Sequence, residues 1–337
     1  MTDQTEHMPD GSDQTPMPAP VFLMSAPRSG STLLQRLLMQ HPRIHSAAET
    51  WLIPASFLTG SETGVLAAAS ARWSRRGLAD TCAALPGGKA SWHRAIGIGL
   101  EQCFADLCPP GTEIFLEKTP RNALFLDAMA DAFPTARYIF LWRNPLAIKA
   151  SMNRTWSGGG WNFRCPIDLH EGLAARVEHR VRLGERAIDI RYEDLIAAPQ
   201  AQIDRLTAFL DLAPLDVEAV QSAAAQSLRD GLGDQAGVAR HGTEIAGTDS
   251  AWRTGFANPV RQAWARHYLD WIGDTRLSAM GYDRAELIDG LGDSHQALGR
   301  MPSDLARMAY ARLNEWLLLD AILQPRRRGG VPHRPLD

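Results

Sequence analysis

The pattern of apolar and polar positions divides the first forty residues into a strand, a turn and a helix. Val21 to Met24 is a short apolar run with the length of a buried strand. The turn PRSGST follows at residues 27–32. Leucines then recur at helical spacing, at Leu33, Leu34, Leu37 and Leu38. The pattern predicts a buried strand, a glycine-containing turn and a helix that packs on one face.

The same alternation of strand and helix recurs later in the chain. Residues 112–116 and 137–142 are typical of strands, and an apolar stripe between them, from Phe125 to Phe133, predicts a helix. A strand–helix–strand unit implies a parallel sheet covered by helices. Further elements follow the same pattern, with a strand at 187–192 and helices at 90–107, from Pro145 onward after an Asn144 N-cap, at 168–184, at 199–210 and at 257–272. We therefore predict an α/β, P-loop-like fold of three layers, with a central parallel sheet flanked by helices.

Polar segments at both ends suggest how the domain is bounded. Residues 1–20 are polar and lack the basic start and apolar run of a signal peptide, so they are predicted to form a disordered leader. Residues 21–285 are predicted to form one domain, and residues 286–337 a helical extension with Ser303 as its N-cap and a basic tail at 326–328. The extension either packs on the domain or provides a homodimer contact or a surface for acidic partners.

Composition narrows the class of protein. The chain has 337 residues, and its apolar fraction of 45% suits a sizeable core. A net charge of −3 does not favour nucleic-acid binding. The four cysteines form no CxxC pair and no zinc spacing, which predicts free thiols and no metal site. No apolar run reaches the roughly 18 residues of a membrane span, so a cytoplasmic location is expected.

The turn at residues 27–32 has the chemistry of an anion site. The first N–H groups of a helix and the positive end of its dipole attract an anion. Arg28, Ser29, Ser31 and Thr32 add a fixed charge and hydroxyl donors. A phosphate- or sulfate-binding loop is therefore predicted, with an ordinary strand–turn–helix as the alternative. The GxxxxGK[ST] sequence of a Walker loop is absent here, which weakens a P-loop NTPase assignment.

Three cations follow predicted strands directly. They are Arg28, Lys118 and Arg143. Because ligands of parallel sheets lie beyond the carboxyl ends of the strands, we expect the three side chains to lie at one edge of the sheet. Nearby, residues 43–54 contain His45 and Glu49, either of which could act as a base or remain solvated.

Taken together, these motifs resemble the sulfotransferase family that uses 3′-phosphoadenosine-5′-phosphosulfate (PAPS). The similarity extends from about Val21 to Tyr282. Its anchors in chain order are PRSGST at 27–32, EKTPRN at 117–122, RNPLAIKAS at 143–151, RYEDL at 191–195 and AWR at 251–253.

The resemblance implies a role for each matching residue in binding PAPS. The 5′-phosphosulfate would be held by the first loop, at Arg28, Ser29, Gly30, Ser31 and Thr32. Arg143 and Ser151 would hold the 3′-phosphate, and Tyr192 would contact the adenine. Arg253 would close over the phosphates.

The resemblance also suggests the catalytic groups. Lys118 matches the lysine that neutralises the leaving oxygen in the tyrosylprotein-type branch, and Glu49 falls where that branch carries its base. The cytosolic branch uses a histidine, so His45 and His93 remain alternatives. Since a glutamate of ordinary pKa is a weak base toward an alcohol, we expect either a partly desolvated Glu49 or late proton transfer. The implied reaction is sulfuryl transfer to a hydroxyl of a small molecule, a carbohydrate or a tyrosine. It needs no metal, because Arg28, the third catalytic residue, supplies a cation together with Lys118.

Aromatic residues near the predicted site indicate which chemical class of acceptor would fit. Trp51, Trp156, Trp161 and Phe163 would either line a pocket for a phenol, sugar or lipid-like alcohol or belong to the core. A glycine-rich loop at 229–247 would close over a ligand. Two other functions stay open, a nucleotide kinase on a related P-loop fold that needs ATP and Mg²⁺, and a non-catalytic module that binds a phosphorylated nucleotide.

Overall fold

The computed structural model describes residues 17–57, 68–163, 165–219, 249–292 and 298–317. The glycine-rich loop at 229–247, the basic tail at 326–328 and most of the predicted leader lie outside these ranges.

A five-stranded parallel sheet forms the centre of the fold. Its strands in chain order are β1 (Ala19–Ser25), β2 (Ile44–His45), β3 (Ile114–Glu117), β4 (Arg137–Trp142) and β5 (Ala187–Arg191). They lie in the order β2-β3-β1-β4-β5, and every pairing is parallel. The predicted α/β fold with a central parallel sheet is confirmed.

Helices connect and cover the strands. In chain order they are α1 (Ser31–Leu38), α2 (Leu52–Phe57), α3 (Ala68–Ala84), α4 (Gly88–Leu107), α5 (Leu126–Ala132), α6 (Pro145–Ser157), α7 (Pro166–Leu169), α8 (Glu171–Leu183), α9 (Tyr192–Ala197), α10 (Pro199–Phe209), α11 (Pro259–Ala279), α12 (Arg284–Asp289) and α13 (Met301–Leu317). Short 3₁₀ segments occur at Pro120–Phe125, Gly184–Arg186, Asp249–Phe256 and Leu298–Arg300.

The sheet separates two apolar clusters, which makes the fold three-layered. Phe22 and Met24 of β1 face one cluster, and Val21 and Leu23 face the other. Because β1 lies at the centre and is covered on both faces, its sequence reads as a continuous apolar run instead of an alternating one.

Several element boundaries differ from the sequence-based expectation, and three of them matter for the fold. β1 begins at Ala19, so the last two residues of the predicted leader belong to the sheet. α11 is interrupted at Gly273, where the expected end lies and the backbone is non-helical (φ +75°, ψ +159°), and a second helical stretch continues from there to Ala279. Ser303 is not the N-cap of the last helix, since that helix begins two residues earlier at Met301.

The last described helix is anchored by a buried ion pair. Asp304 of α13 is 0% exposed and accepts from Arg261 Nε at 2.7 Å and from Arg261 Nη2 at 2.9 Å. Asn258, at the start of α11, donates to the same carboxylate at 2.9 Å. These bonds fix α13 against α11. In the part of the chain that the structure describes, no helix is long and apolar enough to cross a membrane.

Candidate functional site

The predicted cations lie along one edge of the sheet. Strands β3, β1 and β4 are neighbours, and the chain leaves their carboxyl ends toward Lys118, Arg28 and Arg143, respectively. The loops that follow these strands form the site.

The loop after β1 has a backbone shaped for close approach. Arg28 and Gly30 both have positive φ, +68° and +92°. Gly30 is the N-cap of α1 and has no side chain to cap the helix. The N–H groups of Ser31 and Thr32 precede the first bonds to the Gly30 carbonyl, which come from Leu33 and Leu34, so they depend on acceptors from outside the helix. A Cβ at Gly30 would lie 2.4 Å from the ring of Tyr192, so this position requires glycine. The result is a cradle of backbone donors beside an aromatic ring.

Ser29 shapes this turn from within. Its hydroxyl donates to the Ala26 carbonyl at 2.7 Å, and its N–H donates to the same carbonyl at 3.3 Å. The side chain is buried. Ser29 thus holds the turn closed, and both its hydroxyl and its N–H are used within the turn.

Two hydrogen bonds and one cation–π contact bring four of the predicted binding residues into one cluster. Arg28 Nε donates to Ser151 Oγ at 3.3 Å, and Arg143 Nη1 donates to the Arg28 carbonyl at 2.9 Å. The Arg143 guanidinium lies 4.1 Å from the ring centre of Tyr192. Among the described residues, the buried Nε of Arg143 has no hydrogen-bond partner. An unused guanidinium donor in this cluster is what an anionic ligand would require.

Helix α6 sets the spacing of this cluster. The Asn144 side chain accepts from the N–H groups of Leu146 and Ala147, and Pro145 is the first helical residue, as predicted. Ser151 follows two turns later, on the same helix that Arg143 precedes. Glu193 accepts from the Asn144 N–H at 3.0 Å, which ties the start of α9, and with it Tyr192, to the start of α6.

Glu49 and Lys118, two of the three predicted catalytic residues, are in direct contact. Lys118 Nζ donates to Glu49 Oε1 at 2.9 Å. The Lys118 side chain is 2% exposed, and that of Glu49 is 17% exposed. An ammonium carries three donors, and among the described residues Lys118 donates to Glu49 alone. The pair therefore combines a partly desolvated carboxylate with a buried cation that has unused donors.

The alternative histidine bases lie elsewhere. His93 on α4 is buried, its Nδ1 lies 2.9 Å from Asp131 Oδ2, and its ring contacts Phe57 edge-on. His45 on β2 lies beside the ring of Phe115, and burial lowers its pKa. The contacts therefore join Glu49, and neither histidine, to Lys118.

Sequence reasoning assigned no role to Glu117, the last residue of β3. It is 1% exposed and accepts from Thr50 Oγ1, Thr119 Oγ1 and Asn122 Nδ2. Burial raises the pKa of this carboxyl group, while its hydrogen bonds and Lys118 act in the opposite direction. The sequence did contain a signal, because a glutamate that ends an apolar strand must find partners when it is buried.

The remaining predicted residues are more scattered. Trp161 is core, packed against Trp264 and 4.1 Å from the ammonium of Lys149, while Trp156 is 47% exposed. Phe163 contacts Tyr310 of α13.

Arg253 is exposed and lies on the 3₁₀ segment that packs on α6, where Gly255 meets Ala150. Across the described ranges, no cluster of His, Cys, Asp or Glu could hold a metal ion.

Known proteins provide an independent comparison. The chain is 28% identical over 303 residues to "Nodulation protein NoeE" of Sinorhizobium fredii, covering 81% of this chain and 68% of that protein. It is 26% identical over 199 residues to "Protein-tyrosine sulfotransferase A" of Caenorhabditis elegans, covering 57% of this chain and half of that protein. Among solved structures, the sulfotransferase domain from the Synechococcus PCC 7002 olefin synthase aligns with a TM-score of 0.45 and 22% identity, covering 72% of this chain and 90% of that one.

A family-level comparison covers the site itself. The model of the sulfotransferase family matches residues 20–216, which is more than half of the chain. That range contains β2 to β5, all of β1 but its first residue, and all of the site described above except Arg253. The chain therefore belongs to the sulfotransferase family and is a transferase of the sulfuryl group.

Proposed function

We propose that this sulfotransferase moves the sulfuryl group of PAPS to a hydroxyl of an acceptor, with Glu49 as general base. The observation that carries the proposal is the 2.9 Å contact between Glu49 and Lys118. It lies at the end of β3, next to the strand that leads into the anion loop at Arg28.

The chain offers a distinct group for each part of PAPS. Arg28 and the backbone donors from Gly30 to Thr32 would hold the 5′-phosphosulfate. Arg143 and Ser151 would hold the 3′-phosphate. The Arg143 Nε, which has no partner within the described ranges, supports this assignment. Tyr192 would contact the adenine, and Arg253 would close over the phosphates. No step in this scheme requires a metal ion.

In-line transfer accounts for the two catalytic residues. A bond forms between the acceptor oxygen and sulfur while the bond between sulfur and the leaving phosphate oxygen breaks. The acceptor proton goes to the Glu49 carboxylate, a contribution typically of about 10²–10⁴ in rate. The charge that grows on the leaving oxygen is met by the ammonium of Lys118. Since both groups are already in place, they act without reorganisation.

The acceptor is proposed at the level of its reacting group, a hydroxyl of a small molecule, a glycan or a tyrosine. The relative named as a protein-tyrosine sulfotransferase supports including tyrosine. The four cysteines are free, which supports the reducing environment of the cytoplasm as the site of action.

The proposal is tested with radiolabelled PAPS and a panel of 4-nitrophenol, a tyrosine peptide and an oligosaccharide. For the acceptor that the wild-type enzyme sulfates, Glu49→Gln is expected to lower turnover by about 10²-fold or more, because the base is lost. Affinity for 3′-phosphoadenosine-5′-phosphate (PAP) is expected to stay the same. Glu185→Gln, at an exposed glutamate, is the matched control. Wild-type turnover in Glu49→Gln would remove Glu49 as the base.

A further inference from the structure

A single buried carboxylate connects the two segments that carry Glu49 and Lys118. Glu117 Oε1 accepts from Thr50 Oγ1 at 2.9 Å and from Thr119 Oγ1 at 2.7 Å. Thr50 directly follows Glu49, and Thr119 directly follows Lys118. One oxygen atom thus binds the neighbour of the base and the neighbour of the lysine.

The same network holds the segment that carries Glu49, called the base segment below, in a conformation that its own sequence disfavours. The segment that carries Lys118 is called the lysine segment. Trp51 has φ +56°, in the left-handed region where a bulky residue is strained. Its N–H donates to Thr119 Oγ1 at 3.3 Å, and the Leu52 N–H donates to Thr50 Oγ1 at 3.3 Å. The strained turn beside Glu49 is therefore stabilised from the lysine segment, through hydroxyls that Glu117 orients.

The other end of the base segment is anchored independently. Gln35 of α1 donates to Ser46 Oγ at 2.7 Å and to the Ala47 carbonyl at 2.8 Å, and Ser46 Oγ donates to the Leu116 carbonyl. Glu49 lies between this anchor and the Thr50 contact. Without Glu117, the Thr50 end would lose the bond of its hydroxyl to the carboxylate, and the Thr119 hydroxyl that accepts from the Trp51 N–H would no longer be held in place.

We propose that Glu117 is a positioning residue that sets the distance between Glu49 and Lys118 by holding Thr50 and Thr119 together. It contacts neither acceptor nor PAPS and acts through the two threonines. The inference rests on the proposed function, in which Glu49 and Lys118 act on the reacting atoms. Such a tether matters because a displacement of about 1 Å in a catalytic group can cost about 10² in rate.

The kinetics of Glu117 variants distinguish a positioning role from a general disruption of the fold. Glu117→Ala is expected to lower kcat for sulfuryl transfer from PAPS by about 10²-fold, with KM for PAPS and PAP affinity unchanged. Glu117→Gln is expected to recover most of that loss, since its amide oxygen can still accept from both threonines. Asn122 Oδ1, which is buried and has no partner among the described residues, can turn to accept from the new amide. Equal loss in both variants, or loss of PAP binding along with kcat, would overturn the positioning role.

A second pair of variants leaves the buried carboxylate in place. Thr50→Val removes the hydroxyl at similar volume, and Thr50→Ser retains it. We expect kcat to fall in the valine variant and to stay near the wild-type value in the serine variant. If the two behave alike, Glu117 does not act through Thr50, and the proposal fails even if Glu117→Ala does not fold.

A crystal structure of Glu117→Ala with bound PAP tests the geometry without an acceptor. We expect the separation of Glu49 Oε1 and Lys118 Nζ to exceed about 4 Å, the limit of an ion pair. An unchanged contact would contradict the proposal whatever the turnover. Failure of the proposed function would give a different result. The wild type would then transfer no sulfuryl group from PAPS, while the crystal structure of Glu117→Ala would still show Glu49 and Lys118 displaced from each other.

Discussion

The charged side chains at the centre of the site are held by partners that the fold brings from distant parts of the chain. Arg28 meets Ser151, and Glu49 meets Lys118, across many intervening residues. Motifs in the sequence were enough to suggest these residue types and their roles. They could not supply the contacts, because two loops that follow different strands have no local pattern that records their distance.

Glu117 illustrates where reasoning at the residue scale fell short. Its place at the end of an apolar run marks the end of a strand, and a buried carboxylate must be hydrogen-bonded. Two of its partners, Thr119 and Asn122, are close in sequence. The third, Thr50, could not be predicted, because its position depends on the loop between β2 and α2, a part of the chain with weak periodicity.

At the scale of elements, the strongest local signals were the most accurate. β4 has the bounds that the sequence predicted, residues 137–142, and α6 begins at Pro145 after the expected Asn144 cap. By contrast, β2 has two residues, too few to show alternation. Gly273 interrupts α11 where the sequence indicated an end, and a second helical stretch follows because Ile272 and Leu277 on either side of the kink are both buried.

The turn between β1 and α1 gives a prediction at this scale. Gly30→Ala places a methyl group 2.4 Å from the Tyr192 ring in a backbone of φ +92°. The ring has to move, so we expect weaker PAP binding and a loss of about 1–3 kcal/mol in the free energy of unfolding. Isothermal titration and urea unfolding measure the two effects.

Gly99→Ala is the control for this substitution. Gly99 lies within α4, and a methyl group added there would meet no atom of the described residues within 4 Å outside its own helix backbone. Alanine at this position should therefore stabilise the protein by about 0.5–1 kcal/mol. A Gly30→Ala protein that binds PAP as well as the Gly99→Ala protein would contradict the cradle described for this turn.

For the molecule as a whole, the strand–helix–strand pattern was sufficient to predict a three-layer α/β fold. The packing of α13 on the domain was harder to predict from the sequence, because its anchor is a single aspartate within an amphipathic stripe. Asp304 packs α13 onto the domain, in line with the first of the two expectations for the extension. A homodimer contact through the same extension stays a prediction.

Asp304 also allows a test of how the molecule is held together. Burial by itself would raise the pKa of its carboxyl group, but hydrogen bonds from Arg261 and Asn258 outweigh this and lower it. Asp304→Ala leaves Arg261 buried without its partner, so urea unfolding near pH 7 should show a loss of about 3–5 kcal/mol.

The pH dependence of that loss follows from the lowered pKa. A depressed carboxyl pKa stabilises the fold above the ordinary aspartate value of about 3.9, and this contribution disappears as pH falls through the lowered value. The difference in the free energy of unfolding between the wild type and Asp304→Ala should therefore become smaller in acid. Asp80→Ala, at an exposed position, is the control, and an equal loss in both variants would show that the ion pair does not anchor α13.

The central claim, that the donor is PAPS held through its 3′-phosphate, is tested most directly by thermal unfolding with nucleotides. PAP at about a hundred times its Kd should add roughly 2.7 kcal/mol and raise Tm by several degrees. Adenosine 5′-phosphate, which lacks the 3′-phosphate, and ATP with Mg²⁺ should give much smaller shifts. Arg143→Ala should lose the advantage of PAP over adenosine 5′-phosphate. Equal shifts for these two nucleotides, or a shift only with ATP and Mg²⁺, would contradict the account.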